Sequence, residues 1–305
     1  MILRYTAGER DDGRKLYYVL RDELQISATL LRRMKRLQAI SVNGEPAFTD
    51  RRLRPGETVT ADVSAAEPPC GLIPEAGELS VLREDEGMLA VNKSPGILTH
   101  PTHARNTGTL LNAAAGYLAA RGEPPVCHAV NRLDRDTSGV TVLAKNSYMK
   151  AFLAAELAEG GKEYLALVLL GPPTDEGVAD MPIGREEPPG MRRFVTGSGQ
   201  RAVTRWRVLA RREGAALVSL ALETGRTHQI RVHMAALGCP VLGDRLYATA
   251  DSAALSERMG IARQALHARS LRYYDRLTGR ETTLTAPVTR PEFDAFRAEL
   301  EGGNL

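Results

Sequence analysis

The sequence has only three cysteines, and none lies close to another. Cys70, Cys127 and Cys239 form no Cys-x-x-Cys pair and leave one thiol over, so neither a disulfide framework nor a thiolate zinc site is indicated. Long apolar runs are also missing, since nowhere do about 18 apolar residues follow one another. The N-terminal segment lacks the apolar stretch of a signal peptide. We therefore expect a protein of the reducing cytoplasm that neither spans a membrane nor is secreted.

Glycine-rich nucleotide loops are absent as well. No Gly-x-Gly-x-x-Gly or Walker-type loop follows a predicted strand, so the sequence gives no support for a nucleotide cofactor. His228 and His233 suggest a metal pair at first sight. Five residues of helix would place them roughly 140° apart around the axis, which is too far for one ion. We expect neither a cofactor nor a metal.

A large excess of one charge is also missing, because 40 Lys and Arg stand against 37 Asp and Glu. The whole excess lies in residues 1–63, which hold 12 basic and 9 acidic residues. Four basic residues alternate there with apolar ones at helical spacing: Arg32, Arg33, Lys35 and Arg36. This spacing predicts a helix with one apolar and one basic side. Such a basic side either attracts phosphate groups or is simply solvated.

Length and element pattern predict two domains. The 305 residues exceed the usual size of one domain, and a Pro- and Gly-rich segment over residues 69–78 indicates a linker. We therefore expect a small module over residues 1–68 and a larger domain over residues 79–305. In the larger domain, consecutive strand-like runs outnumber the helices, which favours an α+β domain with a mixed sheet. Helices are predicted near residues 108–121, 147–159 and 228–237.

The densest group of chemically reactive side chains is Asn-Arg-Leu-Asp-Arg-Asp-Thr-Ser-Gly at residues 131–139. Its Asp134 lies between arginines in a connection between strands, where scaffolded catalytic groups are common. Turn chemistry is the alternative interpretation, because Asp and Ser side chains bond the nearby backbone in turns. This segment alone leaves both interpretations open.

A second cluster, Thr-Gly-Arg-Thr-His-Gln-Ile-Arg, occupies residues 224–231. Thr227 is suited to cap a helix that ends at Gly238, which places Arg231 one turn inside the helix. An arginine there either faces a buried carboxylate or forms a surface ion pair. If Arg231 faces Asp134, its charge would keep that carboxylate ionised despite partial burial.

Tyr164 stands at the start of a predicted strand, after Gly-Lys-Glu. Half-buried aromatic residues in strands belong mostly to a core, and the alternative is a surface on which a nucleobase stacks. Leu266, in the sequence Leu-His-Ala, is likewise expected to pack in the core unless it borders a pocket.

Taken together and in this order, these motifs resemble the RluA-type family of RNA pseudouridine synthases. The resemblance extends over residues 79–290, although Asn131 stands where the family usually has His. Residues 10–63 resemble the small alpha-L RNA-binding module of the ribosomal protein S-four type. Five motifs carry the main resemblance: residues 131–139, Lys-x-Tyr at 162–164, residues 224–231, Gly-x-Pro-x-x-Gly-Asp at 238–244 and Leu-His-Ala at 266–268.

The resemblance implies an α+β domain with a mixed, largely antiparallel sheet and a small N-terminal α/β RNA-binding module. It implies that Asp134 is the catalytic aspartate, Arg231 its salt-bridge partner and Tyr164 the ring packed on the target base. Further contacts to the substrate are implied for Arg132, Arg226, His228, Ile230 and Leu266. RNA contacts by the module are implied for Arg32, Arg33, Lys35 and Arg36.

The implied function is the isomerisation of specific uridines to pseudouridine in structured RNA, with ribosomal RNA favoured over transfer RNA, by a monomer. Asp134 either attacks the anomeric carbon of the sugar or removes the 2′ proton. The uridine must be flipped out of its stack before either step. Two rival functions remain: a non-catalytic RNA-binding or ribosome-assembly protein, and a carboxylate hydrolase with Glu223 as the second acid.

Overall fold

Six clusters of buried apolar residues form the interior of the described part of the protein. One cluster lies within residues 3–63, and the others lie within residues 88–296. Residue 69 of the expected linker and residues 301–305 of the expected larger domain lie outside the described residues. The computed structural model describes residues 1–65, 67, 68, 70–102, 104–159, 161–186, 192–275, 278–296, 298 and 300.

The N-terminal part contains a four-stranded antiparallel sheet. Its strands are β1 (Ile2–Thr6), β2 (Ile40–Val42), β3 (Glu45–Pro46) and β4 (Thr58–Asp62). They are arranged in the order β1-β4-β2-β3. Asn43 and Gly44 join β2 to β3 with φ values of 54° and 84°, and two-residue hairpin turns of this kind need positive φ at both positions. An Asn-Gly pair is typical of such a turn.

The helices α1 (Leu16–Tyr18) and α2 (Ala28–Arg36) belong to the same part, and a π-helical turn, Val19–Glu23, follows α1. The Ser27 hydroxyl caps α2 by accepting a hydrogen bond from the Leu30 N–H at 3.2 Å. The apolar side of α2 is buried, whereas its basic side is exposed except for the half-buried Arg33. The predicted helix with one apolar and one basic side is therefore confirmed.

The larger part is built on a ten-stranded mixed sheet with the path β10-β13-β14-β9-β15-β8-β6-β5, to which β16 and β7 add at β15 and β8. Its pairs are antiparallel except β8 with β15. A separate hairpin pairs β11 with β12. The strands are β5 (Val81–Glu84), β6 (Met88–Lys93), β7 (His128–Ala129), β8 (Ser138–Ala144), β9 (Lys162–Leu169), β10 (Glu176–Asp180), β11 (Ile183–Arg185), β12 (Arg193–Val195), β13 (Val203–Arg212), β14 (Ala215–Leu222), β15 (Leu266–Asp275) and β16 (Arg280–Thr285).

Four helices pack on this sheet, and the α+β class expected from the sequence is confirmed. Three of the helices lie where the periodicity predicts them. In the part of the chain that the structure describes, no helix is long and apolar enough to cross a membrane. The helices are α3 (Leu110–Ala120), α4 (Ser147–Glu159), α5 (Gln229–Ala236) and α6 (Ala250–Arg258).

The parallel pair β8–β15 places the segment that precedes β8 beside the start of β15. Ser138 lies opposite His267, and Gly139 lies opposite Ala268. Gly139 has a φ of 113°, and a Cβ there would lie 2.2 Å from the Ala268 carbonyl oxygen. Only glycine allows this close approach of the two strands. The candidate catalytic turn, residues 131–137, is thereby fixed at the middle of the sheet.

The described residues of the segment between the two parts, 70–79, lack regular secondary structure and lie against α3. The backbone N–H of Glu75 donates to the Asn112 carbonyl at 3.1 Å. Just before this segment, Glu67 Oε1 lies 2.9 Å from His128 Nε2. The side chain of Tyr148 contacts the apolar clusters of both parts. The connection is therefore docked on the larger part along much of its length.

Candidate active site

The centre of the candidate site is an arginine held between two carboxylates. Arg231 Nη1 donates to Asp134 Oδ2 at 2.8 Å. Its Nε and Nη2 donate to the two oxygens of Asp244 at 2.6 and 2.9 Å. Burial alone would lower the pKa of Arg231, but the hydrogen bonds and charges of Asp244 and Asp134 raise it above its ordinary value. The guanidinium therefore stays cationic and fixes the position of Asp134.

The helix that carries Arg231 starts one residue later than the sequence predicts. Its N-cap is His228, which has a φ of 60°, and the helix begins at Gln229. The Gln229 side-chain oxygen accepts hydrogen bonds from the Arg226 N–H at 2.9 Å and the Thr224 hydroxyl at 2.8 Å. This side chain closes the turn, so the predicted cap at Thr227 is wrong. Arg231 still lies in the first turn of α5, as expected.

A buried lysine holds the backbone of the catalytic turn. Lys93 is 1% exposed, and its ammonium donates to the carbonyls of Ser94, Ile97 and Arg135 at 2.9, 3.0 and 3.0 Å. Burial lowers the pKa of Lys93 to about 8. Because Arg135 follows Asp134 directly, this hydrogen bond holds the backbone next to Asp134 in place.

Two amide side chains tie the same turn to the sheet. Asn131 Nδ2 donates to the Val140 carbonyl at 3.0 Å, and its Oδ1 accepts from the Val142 N–H at 2.7 Å. Gln264 Nε2 donates to the Thr137 hydroxyl at 3.0 Å. Asn131, which departs from the family motif, thus supports the start of the turn by bonding the β8 backbone.

Tyr164 lies on β9 opposite Ala268 and lines the cleft beside Asp134. Burial, together with the charge of Asp134, raises the pKa of Tyr164, so its phenol is neutral at physiological pH. Its ring packs against the apolar cluster that includes Leu266 and Ile230, each 4% exposed. Neither of these two is among the described residues that line the cleft.

The site opens into a cleft of about 1590 Å³ whose lining is positively charged. Nine lysines and arginines and three acidic residues line it, which suits a polyanionic ligand. Arg132 and Arg226 are exposed in this lining, as expected of substrate-binding residues. The basic residues of α2 are not among the described residues that line the cleft, and they form a separate basic surface.

The residues considered from the sequence as a second catalytic acid, Glu223, and as part of a metal pair, His233, have other partners in the structure. Glu223 lines the cleft, but its Oε1 accepts from Arg205 Nε at 2.7 Å and its side chain is 38% exposed, so it is an ion-paired carboxylate at the surface. His233 Nδ1 lies 2.9 Å from the Thr204 hydroxyl, on a different side of α5 from the cleft. Within the described ranges, no group of three or more His, Cys, Asp or Glu is placed to hold a metal ion.

Sequence reasoning overlooked three residues that build the site. Asp244 is 1% exposed and holds Arg231 from the side opposite Asp134. Tyr247 places its hydroxyl 2.9 Å from His228 Nδ1. Lys93 is the third. The Gly-Asp pair in the motif at 238–244 was a signal for Asp244, because a buried carboxylate requires a cation.

Comparison with known proteins gives a consistent assignment. A family model described as RNA pseudouridylate synthase matches residues 87–236. The chain is 38% identical over 289 residues to "Uncharacterized RNA pseudouridine synthase YhcT" of Bacillus subtilis, a match that covers 93% of each chain. It is 36% identical over 256 residues to "Ribosomal large subunit pseudouridine synthase D" of Xanthomonas campestris, covering 81% of this chain and 77% of that relative.

Solved structures with the same fold include two human proteins. "Human RNA Pseudouridylate Synthase Domain Containing 1" aligns with a TM-score of 0.58 and 27% identity over 72% of this chain and 89% of that chain. "Human RNA Pseudouridylate Synthase Domain Containing 4" aligns with a TM-score of 0.56 and 29% identity over 72% of this chain and 91% of that chain. The mixed sheet of the larger part is therefore of the type found in these proteins.

Proposed function

The chain belongs to the RNA pseudouridylate synthase family, and from this we propose that it modifies structured ribosomal RNA with Asp134 as the reacting carboxylate. It is an RNA pseudouridine synthase, an isomerase. The reaction breaks the bond between the ribose C1′ and uracil N1, turns the base, and joins C1′ to C5. Reactant and product are isomers, so the overall conversion requires neither a net redox change nor a co-substrate.

The observation that carries the role of Asp134 is its 2.8 Å contact with Arg231 at the wall of a basic cleft. The buried cation keeps the carboxylate in place. A carboxylate oxygen at this position has two possible tasks. It bonds to C1′, as the nucleophile of a retaining glycosidase does, or it removes the 2′ proton of the ribose.

Tyr164 supplies the surface on which we expect the flipped uracil to stack. Tyr164 lines the cleft and packs against the apolar cluster that includes Leu266 and Ile230. Stacking on an aromatic ring contributes about 1 to 3 kcal/mol per base, which offsets part of the unstacking energy. Arg132, Arg226 and His228 lie in the same lining and would contact the nucleotide around the base.

Ribosomal RNA is the substrate that the relatives favour. Several relatives at 33–36% identity are described as ribosomal large subunit pseudouridine synthase D. We propose that residues 1–68 are an RNA-binding module that uses Arg32, Arg33, Lys35 and Arg36, with residues 69–78 as the linker and residues 79–305 as the catalytic domain. We expect the enzyme to act as a monomer in the cytoplasm.

Mapping pseudouridines in cells that lack the gene tests this assignment. We expect one or more ribosomal RNA positions to lose pseudouridine, and we expect the wild-type protein to restore them. Asp134→Asn should fail to restore them, whereas the control Asp175→Asn, at an exposed ion pair outside the cleft, should restore them fully. A loss confined to transfer RNA would contradict the ribosomal assignment, and restoration by Asp134→Asn would contradict the role of Asp134.

A further inference from the structure

The imidazole of His228 lies beside the carboxylate of Asp134 without bonding it. His228 Nε2 is 3.8 Å from Asp134 Oδ2, which is beyond hydrogen-bond distance. The hydrogen bond to that oxygen comes from Arg231 instead, at 2.8 Å. Because His228 and Asp134 both line the cleft, the Nε2 edge of the ring lies where a bound nucleotide would meet the carboxylate.

The other ring nitrogen is held by Tyr247, whose hydroxyl lies 2.9 Å from His228 Nδ1. The same hydroxyl accepts a hydrogen bond from the backbone N–H of Arg193 on β12, at 2.9 Å. An amide N–H cannot accept, so the arrangement that uses the hydroxyl hydrogen within the described part of the chain has Nδ1 as its acceptor. We assign this arrangement, in which the neutral ring carries its own hydrogen on Nε2.

The surroundings of the ring favour its neutral form. Burial lowers the pKa of His228 below its ordinary value, and the cations of Arg231 and Arg193 act in the same direction. The carboxylates of Asp134 and Asp244 oppose this shift without cancelling it. Tyr247 faces the ring edge-on, with 5.7 Å between the centroids. The ring is thus an uncharged hydrogen-bond donor near neutral pH.

The backbone at His228 is also unusual. Its φ of 60° and ψ of 16° lie in the left-handed region, which non-glycine residues rarely adopt and which is concentrated at functional sites. This conformation places the imidazole, and not a capping hydroxyl, at the start of α5.

We propose that His228 is a catalytic residue that donates an uncharged hydrogen bond to the uracil as the N-glycosidic bond breaks, with Tyr247 as its positioning residue. This role rests on the proposed function of Asp134. When the C1′–N1 bond breaks, its electron pair stays on the uracil, whether Asp134 bonds to C1′ or takes the 2′ proton. The resulting anion spreads its charge over N1 and the carbonyl oxygens, where a preorganised N–H stabilises it.

The neutrality of the donor matters for the outcome of the reaction. A neutral imidazole keeps its proton on Nε2, so the detached uracil remains an anion. After the base turns, C5 uses an electron pair of this anion to bond to C1′. In the same step the bond from C1′ to Asp134 breaks, or the 2′ proton returns to C2′. C5 then loses its proton, which is the hydrogen that the tritium assay detects, and N1 takes up a proton. A cationic imidazole would instead be able to protonate the base and release it as free uracil.

A matched pair of variants, His228→Gln and His228→Met, tests the donor. The two side chains have nearly the same length, and only glutamine keeps an N–H near the position of Nε2. The assay measures tritium release from total RNA labelled at uracil C5 and isolated from cells that lack the enzyme. We expect His228→Met to lower kcat about 100-fold or more with little change in KM, and His228→Gln to stay within about tenfold of wild type.

Equal losses of kcat in both variants, or a loss confined to KM, would overturn the role of His228. Total RNA contains every class of substrate, so this comparison does not depend on the ribosomal assignment. Release from transfer RNA alone in the wild-type reaction would contradict only that assignment. Circular dichroism of both variants checks that each is folded.

Tyr247→Phe tests the positioning role through the pH profile of kcat. The Tyr247 hydroxyl donates to Nδ1 and so favours the neutral ring, and its removal should raise the pKa of His228. We therefore expect the acidic limb of the profile to move to higher pH and kcat at pH 7 to fall about tenfold. The control Tyr274→Phe, at an exposed residue of β15, should keep the wild-type profile. An unchanged profile in Tyr247→Phe would overturn the positioning role.

Discussion

Arg231 neutralises two carboxylates of different exposure. Asp244 is fully buried at its side chain, whereas Asp134 retains 27% of its side-chain exposure and faces the cleft. A buried carboxylate without a cation is strongly destabilising, so Asp244 holds Arg231 in the interior. Arg231 bonds Asp244 through Nε and Nη2, which leaves Nη1 to donate to Asp134 and to fix the position of its carboxylate.

Removing the cation should therefore cost both stability and turnover. We expect Arg231→Met to lower the free energy of unfolding by about 3 to 5 kcal/mol, because Asp244 stays buried without its counter-charge and keeps only its backbone hydrogen bonds. The double variant Arg231→Met/Asp244→Asn should regain part of this stability, since it removes the orphaned charge. Urea titration measures stability, and tritium release measures turnover. Wild-type turnover in the double variant would contradict the role of Arg231 at Asp134.

His267 joins the two central strands at the base of the site. On β15, its Nδ1 lies 2.9 Å from the Ser138 hydroxyl of β8 and its Nε2 lies 3.2 Å from the Ala286 carbonyl. The residue is 1% exposed, and burial lowers the pKa of His267 to about 4. The neutral ring donates from Nε2 to the carbonyl and accepts the Ser138 hydroxyl hydrogen at Nδ1. A proton on Nδ1 would reverse the hydrogen bond to Ser138 and place a charge in the interior, which burial disfavours.

This arrangement predicts a specific pH dependence of stability. The pKa of His267 is about 4 in the folded protein and about 6.5 in the unfolded chain, so between these values protons bind preferentially to the unfolded chain. Its contribution is fully present above pH 6.5 and falls by roughly 3 kcal/mol as the pH drops to 4. His267→Gln should remove this part of the slope in urea titrations. Parallel stability curves for wild type and variant would contradict the neutral, buried ring.

Local sequence patterns explain which elements of the site are predictable from the sequence. Asp134 and Arg231 are predictable because each stands in a distinctive motif and because helical spacing places Arg231 in the first turn of α5. The helix start at Thr227 was predicted wrongly, since the side chain of Gln229 closes that turn. Sequence rules for helix caps consider nearby hydroxyl side chains and do not predict a glutamine in this role. The Gln229 side chain also donates to the Val203 carbonyl of β13, at 2.9 Å.

Other contacts of the site depend on tertiary structure alone. Lys93 ends an apolar strand, and its partners are backbone carbonyls, which no side-chain pattern indicates. Tyr247 reaches His228 only because the turn after α5 folds back over the helix start. Leu266 and Ile230 are predictable as buried residues, but the apolar cluster that they share with Tyr164 is not.

At the scale of the whole molecule, the described residues include two separate basic surfaces, the cleft and the exposed side of α2. Each phosphate contact adds to the salt dependence of RNA binding, with a slope of about 0.7 to 0.9 per contact. Replacing Arg32, Lys35 and Arg36 with Gln should therefore reduce the slope of log Kd against log salt by about 2 to 3. Filter binding of ribosomal RNA at several salt concentrations measures it.

A control variant with the same change in charge makes this test specific. Arg258, Arg272 and Arg280 are exposed residues that are absent from the described lining of the cleft. Their replacement by Gln should leave the salt slope nearly unchanged. Equal slopes for the α2 variant and the wild-type protein would remove α2 from the RNA-binding surface.

The central claim is that a single carboxylate, at Asp134, reacts with the ribose of a flipped uridine. Tritium release from C5-labelled ribosomal RNA, compared between wild type and Asp134→Asn, tests it most directly. Asparagine keeps the shape and the hydrogen-bond acceptor for Arg231 but lacks the charged oxygen. We predict release by the wild-type protein and none above background from a folded Asp134→Asn variant that still binds the RNA. Release by that variant at a rate near wild type would contradict the claim.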